Sequence, residues 1–309
     1  MPGQVPTVGE LQRSGFLARR RAVDRTMRGV LFLCAALSVL VTTSIVVILL
    51  TESWSFFRQV SLVEFLTGTE WTPVFAEPRF GILPLLSATL MVAFIALLIA
   101  VPFGLTMAIY LSEFAPVTVR EMIKPALEML EAVPTIVFGY FALLVMTPFL
   151  QRFIPGLAGI NLLVPSIIIG IMILPYVVSV SEDAMRAVPN ALREGGYALG
   201  MARWQVALRV VVPAAFSGIT AAFILGMSRA VGETMVLAVA AGQNPNLTLD
   251  PREGAATITA YIVQMSLGDL PHGSLAYATI FAAGLVLFIV TLSFNVVGFY
   301  LRRRFREAY

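Results

Sequence analysis

The sequence has little of several residue types on which soluble enzymes depend. It contains one cysteine, one histidine and one lysine among 309 residues. A single cysteine forms neither a disulfide within the chain nor a thiolate zinc site, and a single histidine excludes a helical pair of metal ligands. The only lysine, Lys124, precedes Pro125, so the chain lacks the Gly-Lys-Ser/Thr motif of a nucleotide-binding loop. Any use of ATP must therefore involve another chain.

Charged residues are also scarce. They make up 13% of the chain, against about 25% in a typical soluble domain. Hydrophobic residues make up 58%, and the mean hydropathy is +0.87. This leaves too little polar surface to cover a water-soluble globule. The basic residues are not interleaved with aromatic residues as in a nucleic-acid-binding surface. We therefore expect an integral membrane protein.

Long charge-poor runs predict six membrane-spanning helices, because a helix crosses the hydrocarbon core with about 20 apolar residues. The predicted spans are residues 29–50, 80–112, 132–151, 153–181, 210–241 and 273–301. Two charges interrupt the fifth span. Sixteen of the 21 basic residues lie in the segments 1–28, 113–124, 182–209 and 302–309, and four lie in the intervening segments. The positive-inside rule then places both termini in the cytoplasm.

These spans divide the chain into three predicted parts. Residues 1–79 comprise a cytoplasmic tail, the first span and a long outer loop, and residues 80–301 form a five-helix core. Residues 302–309 form a basic cytoplasmic tail. Within the outer loop, the aromatic and aliphatic residues of 53–66 predict an amphipathic interfacial helix, and an ordinary capped loop is the alternative.

The predicted cytoplasmic loop at 182–209 has the most informative pattern. Asn190 is placed to cap a helix that begins at Ala191, and Gly200 is placed to end it in a left-handed conformation. A second short helix then carries Trp204. Such a helical bracket, with aromatic residues among arginines, suits docking into a cleft of a partner protein. A solvated connector is the alternative interpretation.

This loop resembles the EAA loop of ABC-importer permeases. The family pattern is Glu-Ala-Ala-x3-Gly-x9-Ile-x-Leu-Pro, and Glu194-Gly195-Gly196, Gly200 and Pro213 fit its spacing. Glycines replace both alanines, which weakens a helix by about 1 kcal/mol each. The resemblance implies the all-α fold of type I importer permeases. It also implies that an ATPase contacts Glu194, Gly195, Gly196, Gly200, Arg203, Trp204 and Pro213.

The two charges inside the fifth span are Arg229 and Glu233. A charge in the bilayer costs at least about 2.5–3.5 kcal/mol on insertion scales, so we expect each charge to face a pathway, a partner or the other charge. Their i, i+4 spacing predicts that both project from one face of a continuous helix. An arginine fork suits tetrahedral oxyanions, and a neighbouring carboxylate accepts a hydrogen bond from a protonated one. The alternative is a structural ion pair, either within the chain or with another subunit.

The same stretch resembles phosphate-importer permeases. Residues 228–235 are similar to their Arg-Ala-x-Gly-Glu-Thr motif, residues 130–139 to their Pro-Ser/Thr-Ile-Val-x-Gly third span, and residues 65–71 favour the PstC type. The resemblance implies that phosphate crosses the membrane along a pathway with Ser228, Arg229, Glu233, Thr234 and Thr135.

The resemblance further implies a set of partners and a location. A PstA-type second permease, a PstB-type ATPase dimer and a PstS-type phosphate-binding protein would assemble with this chain in the cytoplasmic membrane of a prokaryote. ATP and Mg²⁺ would lie on the ATPase, with no cofactor and no enzymatic reaction on this chain. Two alternatives stay open, namely an ABC permease for molybdate or sulfate and a stand-alone secondary transporter.

Overall fold

The computed structural model describes residues 8–304 of the chain. It is 75% helical, and an isolated bridge between Trp71 and Phe80 is the only β-pairing in this range. The chain divides into two compact units, residues 1–51 and 52–309. The predicted division at residue 80 stays a prediction. The predicted tails at 1–28 and 302–309 lie partly outside the described residues.

The backbone forms a succession of helices joined by short turns. Within the described range they are α1 (Val8–Phe57), α2 (Leu62–Thr67), α3 (Leu83–Phe114), α4 (Val117–Ala132), α5 (Thr135–Leu150), α6 (Leu163–Arg186), α7 (Asn190–Ala198), α8 (Arg203–Ala214), α9 (Phe216–Val231), α10 (Met235–Ala240), α11 (Ile258–Ser266) and α12 (Leu275–Arg304). Single π-helical turns occur in α3 (Tyr110–Phe114), α5 (Ala142–Met146) and α8 (Ala207–Val211).

Four of these helices, α1, α3, α6 and α12, are long and apolar enough to cross a membrane. The pairs α4–α5 and α8–α9 bend by 87° and 72°, and the number of spans reaches the predicted six if each bent pair is one span. Pro134 explains the first bend, because it provides no backbone N–H and holds Val133 in an extended conformation. Pro134 therefore decides where the chain turns between α4 and α5.

Two predicted segments differ from the structure. The fourth span was predicted from residue 153, but α6 begins at Leu163, because the N–H groups of Leu162 and Leu163 hydrogen-bond to the carbonyl of Pro251. The predicted single helix at 53–66 is wrong. Instead, α1 continues to Phe57, and the Ser61 hydroxyl caps a separate α2. In both places, hydrogen bonds of the turn replace those of a longer helix.

The core of residues 52–309 is built around α6, which packs against α3, α4 and α9. Small residues bring α3 and α6 close together: a Cβ on Gly170 would lie 2.9 Å from the Ala96 carbonyl oxygen, and one on Gly104 would lie 2.7 Å from Val177 Cγ1. An aromatic cluster packs beside the start of α3 and comprises Phe56, Phe65, Trp71, Phe80 and Tyr261. Leu111, Met185 and Val206 pack beside its end.

Candidate functional site

The predicted fifth span is broken where its two charges lie. Helix α9 ends at Val231 and α10 begins at Met235, so Glu233 lies in the break. The predicted continuous helix is therefore wrong, and Arg229 and Glu233 form no ion pair with each other within the described chain. Glu233 is nearly buried, and its carboxylate accepts a 3.5 Å hydrogen bond from the Val236 N–H. This local hydrogen bond of Glu233 thus takes the place of the expected ion pair with Arg229.

Arg229 lies in the last turn of α9 and faces an aromatic ring on α6. Its guanidinium carbon is 4.6 Å from the ring centroid of Tyr176, which is cation–π geometry. The Arg229 Nε and Ser228 Oγ atoms are buried and have no hydrogen-bond partner. Within the described chain no carboxylate lies within ion-pair distance of Arg229. The guanidinium therefore keeps an uncompensated charge and donors with which to bind an anion.

Buried hydroxyl groups hold the break in place. The Thr259 hydroxyl donates a 2.7 Å hydrogen bond to the Glu233 carbonyl oxygen. One residue earlier, the Ile258 N–H donates to the Thr89 hydroxyl on α3 at 3.0 Å. The hydroxyls of Thr257 and Thr259 lie 3.2 Å apart. None of these threonines was predicted as a site residue. Thr257 and Thr259 alternate with apolar residues in the sequence, and this pattern could have identified them.

The two predicted pathway threonines lie on adjoining elements. Thr234 is in the break, where its hydroxyl donates to the Gly232 carbonyl at 3.1 Å. Thr135 is the first residue of α5, and its hydroxyl forms no hydrogen bond within the described chain. Helix α5 packs against α10, and a Cβ on Gly139 would lie 3.2 Å from Val236 Cα. The structure thus packs α5 against α10, but neither threonine hydroxyl hydrogen-bonds to Arg229.

A helical bracket follows α6. Gly200 has φ +78, the predicted left-handed conformation. The Gly200 N–H donates to the Tyr197 carbonyl and the Met201 N–H to the Gly196 carbonyl, which is the Schellman pattern of a helix end. The predicted Asn190 cap is wrong. Pro189 occupies the capping position in an extended conformation, and Asn190 is already in α7.

The bracket presents predicted coupling residues at its surface. Glu194, Gly195, Gly200, Arg203, Trp204 and Pro213 are exposed. Arg203 lies over the ring of Phe114, 5.3 Å from its centroid. Gly196 differs, because it is buried and a Cβ there would lie 3.0 Å from Val206 Cγ2. The second small residue of the motif therefore allows α7 to pack on α8.

The ion pairs that Arg193 and Lys124 form beside the bracket were not predicted. Arg193 on α7 binds Glu113 at the end of α3, with Nη2 and Oε1 2.9 Å apart. Lys124 on α4 pairs with the fully buried Glu182 and, at 3.2 Å, with Asp183 on α6. Two features of the sequence could have pointed to these residues: Glu113 directly follows the charge-free run 80–112, and Lys124 is the only lysine. Their partners are remote in sequence, so spacing alone does not reveal them.

A loop between α10 and α11 carries a further ion pair. The Arg252 guanidinium hydrogen-bonds to the Asp250 carboxylate and lowers the pKa of Asp250 to about 2. Arg252 also donates to the Pro155 carbonyl at 3.4 Å. This loop is therefore tied to the turn that precedes α6.

An all-helical chain with four to six apolar spans, one of them broken beside an unpaired arginine, has the architecture of a membrane transport subunit. Residues 100–307 match the family of binding-protein-dependent transport system inner membrane components. The chain belongs to this family, whose members are permease components of ABC transporters, and it is a multi-pass membrane protein and a transport subunit rather than an enzyme.

Curated relatives cover most of the chain. The probable ABC transporter permease protein YqgH of Bacillus subtilis is 36% identical over 273 residues, which are 88% of each chain. The phosphate transport system permease protein PstC of Mesorhizobium japonicum is 35% identical over 87% of each chain. Among solved structures, a bacterial ABC transporter that imports the acidic polysaccharide alginate superposes with a TM-score of 0.60 over 84% of this chain and 89% of its own. At 16% identity this similarity supports the type I importer permease fold alone.

Proposed function

We propose that this chain is a PstC-type permease subunit that carries inorganic phosphate into the cell. The observation on which the proposal rests is Arg229, which is partly buried beside a break in an apolar span. Its buried Nε has no hydrogen-bond partner, and its guanidinium has no acidic partner within the described chain. Several relatives named as phosphate permeases, at 30–35% identity, support the choice of substrate.

The pair of charges suggests how phosphate is selected. At neutral pH phosphate still carries a proton, whereas sulfate does not. Arg229 would attract either anion through its fork of N–H donors. Glu233 would accept a hydrogen bond from protonated phosphate and would repel a fully ionised anion. Ser228, Thr234 and Thr135 would contribute hydroxyl groups along the same pathway.

Transport would be driven from the bracket at 182–209. Glu194, Gly200 and their neighbours would contact a PstB-type ATPase dimer, which binds ATP and Mg²⁺. ATP-driven closure would turn the pore outward to accept phosphate from a PstS-type binding protein, and hydrolysis would return it inward. A PstA-type permease would complete the pathway, with both termini of this chain in the cytoplasm.

The test is uptake of labelled phosphate by proteoliposomes that contain this chain, the second permease, the ATPases, the binding protein and ATP. We expect uptake that requires ATP and resists competition by sulfate and molybdate. Arg229→Gln should reduce uptake by at least about a hundredfold, because glutamine has neither the positive charge nor the fork of N–H donors that would bind the anion. Arg58→Gln is the matched control, since Arg58 also lies over an aromatic ring, that of Trp54 at 5.8 Å, but is exposed.

Three other outcomes would each revise one part of the proposal: the substrate, the energy source or the role of Arg229. Competition by molybdate or sulfate would retain the ATP-driven permease and change its substrate. Uptake without ATP would indicate a secondary transporter. Normal uptake by Arg229→Gln would remove this residue from the pathway.

A further inference from the structure

Helix α7 has modest apolar packing with which to hold its place, since Leu192 is only partly buried against the cluster that contains Met185 and Val206. It has nine residues, and Gly196 is the one that is buried. A short helix on the surface moves independently unless other contacts fix it. Polar contacts therefore contribute much of its attachment to the core.

Arg193 provides these contacts with its whole guanidinium group. Its Nε and Nη2 atoms form a bidentate pair with the Glu113 carboxylate, at 3.3 and 2.9 Å. Nη2 also donates to the Met185 carbonyl at 2.9 Å, and Nη1 donates to the Val188 carbonyl at 2.6 Å. A fifth contact, of 3.4 Å, reaches the Asn190 side chain. All five N–H donors are thus engaged.

The acceptors belong to the ends of two core helices. Glu113 lies in the π-helical turn that ends α3, and its side chain is 6% exposed, against 15% for Arg193. Met185 lies in the last turn of α6, where the helix dipole favours a cation. Arg193 therefore binds α7 to the ends of both α3 and α6.

Both helices continue to the candidate site. Tyr176, which faces Arg229, precedes Met185 by nine residues on α6, a distance of about 14 Å along a helix axis. Thr89 on α3 hydrogen-bonds to the segment that holds the break. A displacement of α7 that reaches α3 and α6 consequently reaches the residues around Arg229.

We propose that Arg193 is the positioning residue through which movement of α7 is transmitted to α3 and α6, with Glu113 as its partner. This role rests on the proposed function, in which an ATPase moves α7. Lysine would not replace Arg193, because a single ammonium group lacks the planar fork that contacts a carboxylate and two carbonyl groups together.

The experiment measures phosphate uptake and ATP hydrolysis in the same proteoliposomes, with all partner chains present. Arg193→Gln should keep the ATPase bound in co-purification but lower the phosphate transported per ATP by about tenfold, because Glu113 is left buried without its partner. Glu113→Gln and Arg193→Lys should lower the ratio in the same way. The double variant Arg193→Gln/Glu113→Gln should be no worse than either single variant, because the residues act as a unit.

Arg209→Gln is the matched control, since Arg209 is exposed and forms no ion pair within the described chain. A wild-type ratio in Arg193→Gln would overturn the proposal, as would independent, additive losses in the double variant. If Arg193→Gln does not assemble, Glu113→Gln decides between the same two outcomes. Absence of ATP-driven phosphate uptake by the wild-type complex would instead overturn the proposed function, and the role of Arg193 with it.

Discussion

At the scale of single residues, Arg229 is unusual because an aromatic ring, rather than a carboxylate, lies beside its charge. The Tyr176 ring stabilises the cation without neutralising it. A carboxylate in the same place would occupy the donors that an anion needs. Tyr176 thus stacks on the Arg229 guanidinium without taking up its N–H donors.

This arrangement predicts a difference between two substitutions of Tyr176. Tyr176→Leu removes the ring and about 1 kcal/mol of cation–π stabilisation, so the KM for phosphate uptake should rise roughly fivefold. Tyr176→Phe keeps the ring and should retain a KM close to that of the wild type, since the Tyr176 hydroxyl forms no hydrogen bond within the described chain. Concentration-dependent uptake measures both. Equal KM values for Leu and Phe would contradict an orienting role.

At the scale of helices, close contacts between small residues decide how the elements pack. Gly196 is the clearest case, because it lies against Val206 while its neighbour Gly195 faces open space. The two glycines stand at equivalent places in the motif but have different surroundings. Only Gly196 is needed for α7 to pack on α8.

A pair of matched variants tests this difference. Gly196→Leu places a bulky side chain where a Cβ alone would lie 3.0 Å from Val206 Cγ2, and overpacking of this kind costs about 1–3 kcal/mol. Its melting temperature in detergent should fall. Gly195→Leu, with nothing within 4 Å of its Cβ, should leave the melting temperature unchanged or raise it slightly through better helix propensity. A larger loss in Gly195→Leu would show that α7 packs differently.

At the scale of the whole molecule, charge distribution determines which ends of the helices face the cytoplasm. The bracket at 182–209 lies on the predicted inner side, and the loop between α10 and α11 lies on the predicted outer side. These two segments carry Leu199 and Leu249, which are each 84% exposed. They are therefore well placed for chemical labelling.

Cysteine labelling tests this orientation directly. The natural Cys34 is first replaced by serine, and Leu199→Cys or Leu249→Cys is then introduced. In intact cells a membrane-impermeant maleimide should label Leu249→Cys and should leave Leu199→Cys unlabelled until the membrane is opened. The reverse pattern would invert the topology, and it would also place the coupling bracket on the wrong side for an ATPase.

The sequence by itself determined the class of protein and its broad architecture. Scarce charge and long apolar runs require helices in a membrane, because lipid offers no hydrogen bonds to an unpaired backbone. One short-range signal, the left-handed Gly200 that ends α7, was also confirmed, although the predicted Asn190 cap was wrong. Both depend on neighbours in the chain, and the sequence displays those directly.

Only the tertiary structure decided how the charged residues are used. Spacing placed Arg229 and Glu233 on one helical face, but the Thr259 hydroxyl and the Val236 N–H hold Glu233 in a break instead. Arg193 and Glu113, 80 residues apart in the chain, meet because α3 and α6 end side by side. Such contacts depend on which helices pack together, and packing is set by the whole buried surface rather than by any local pattern.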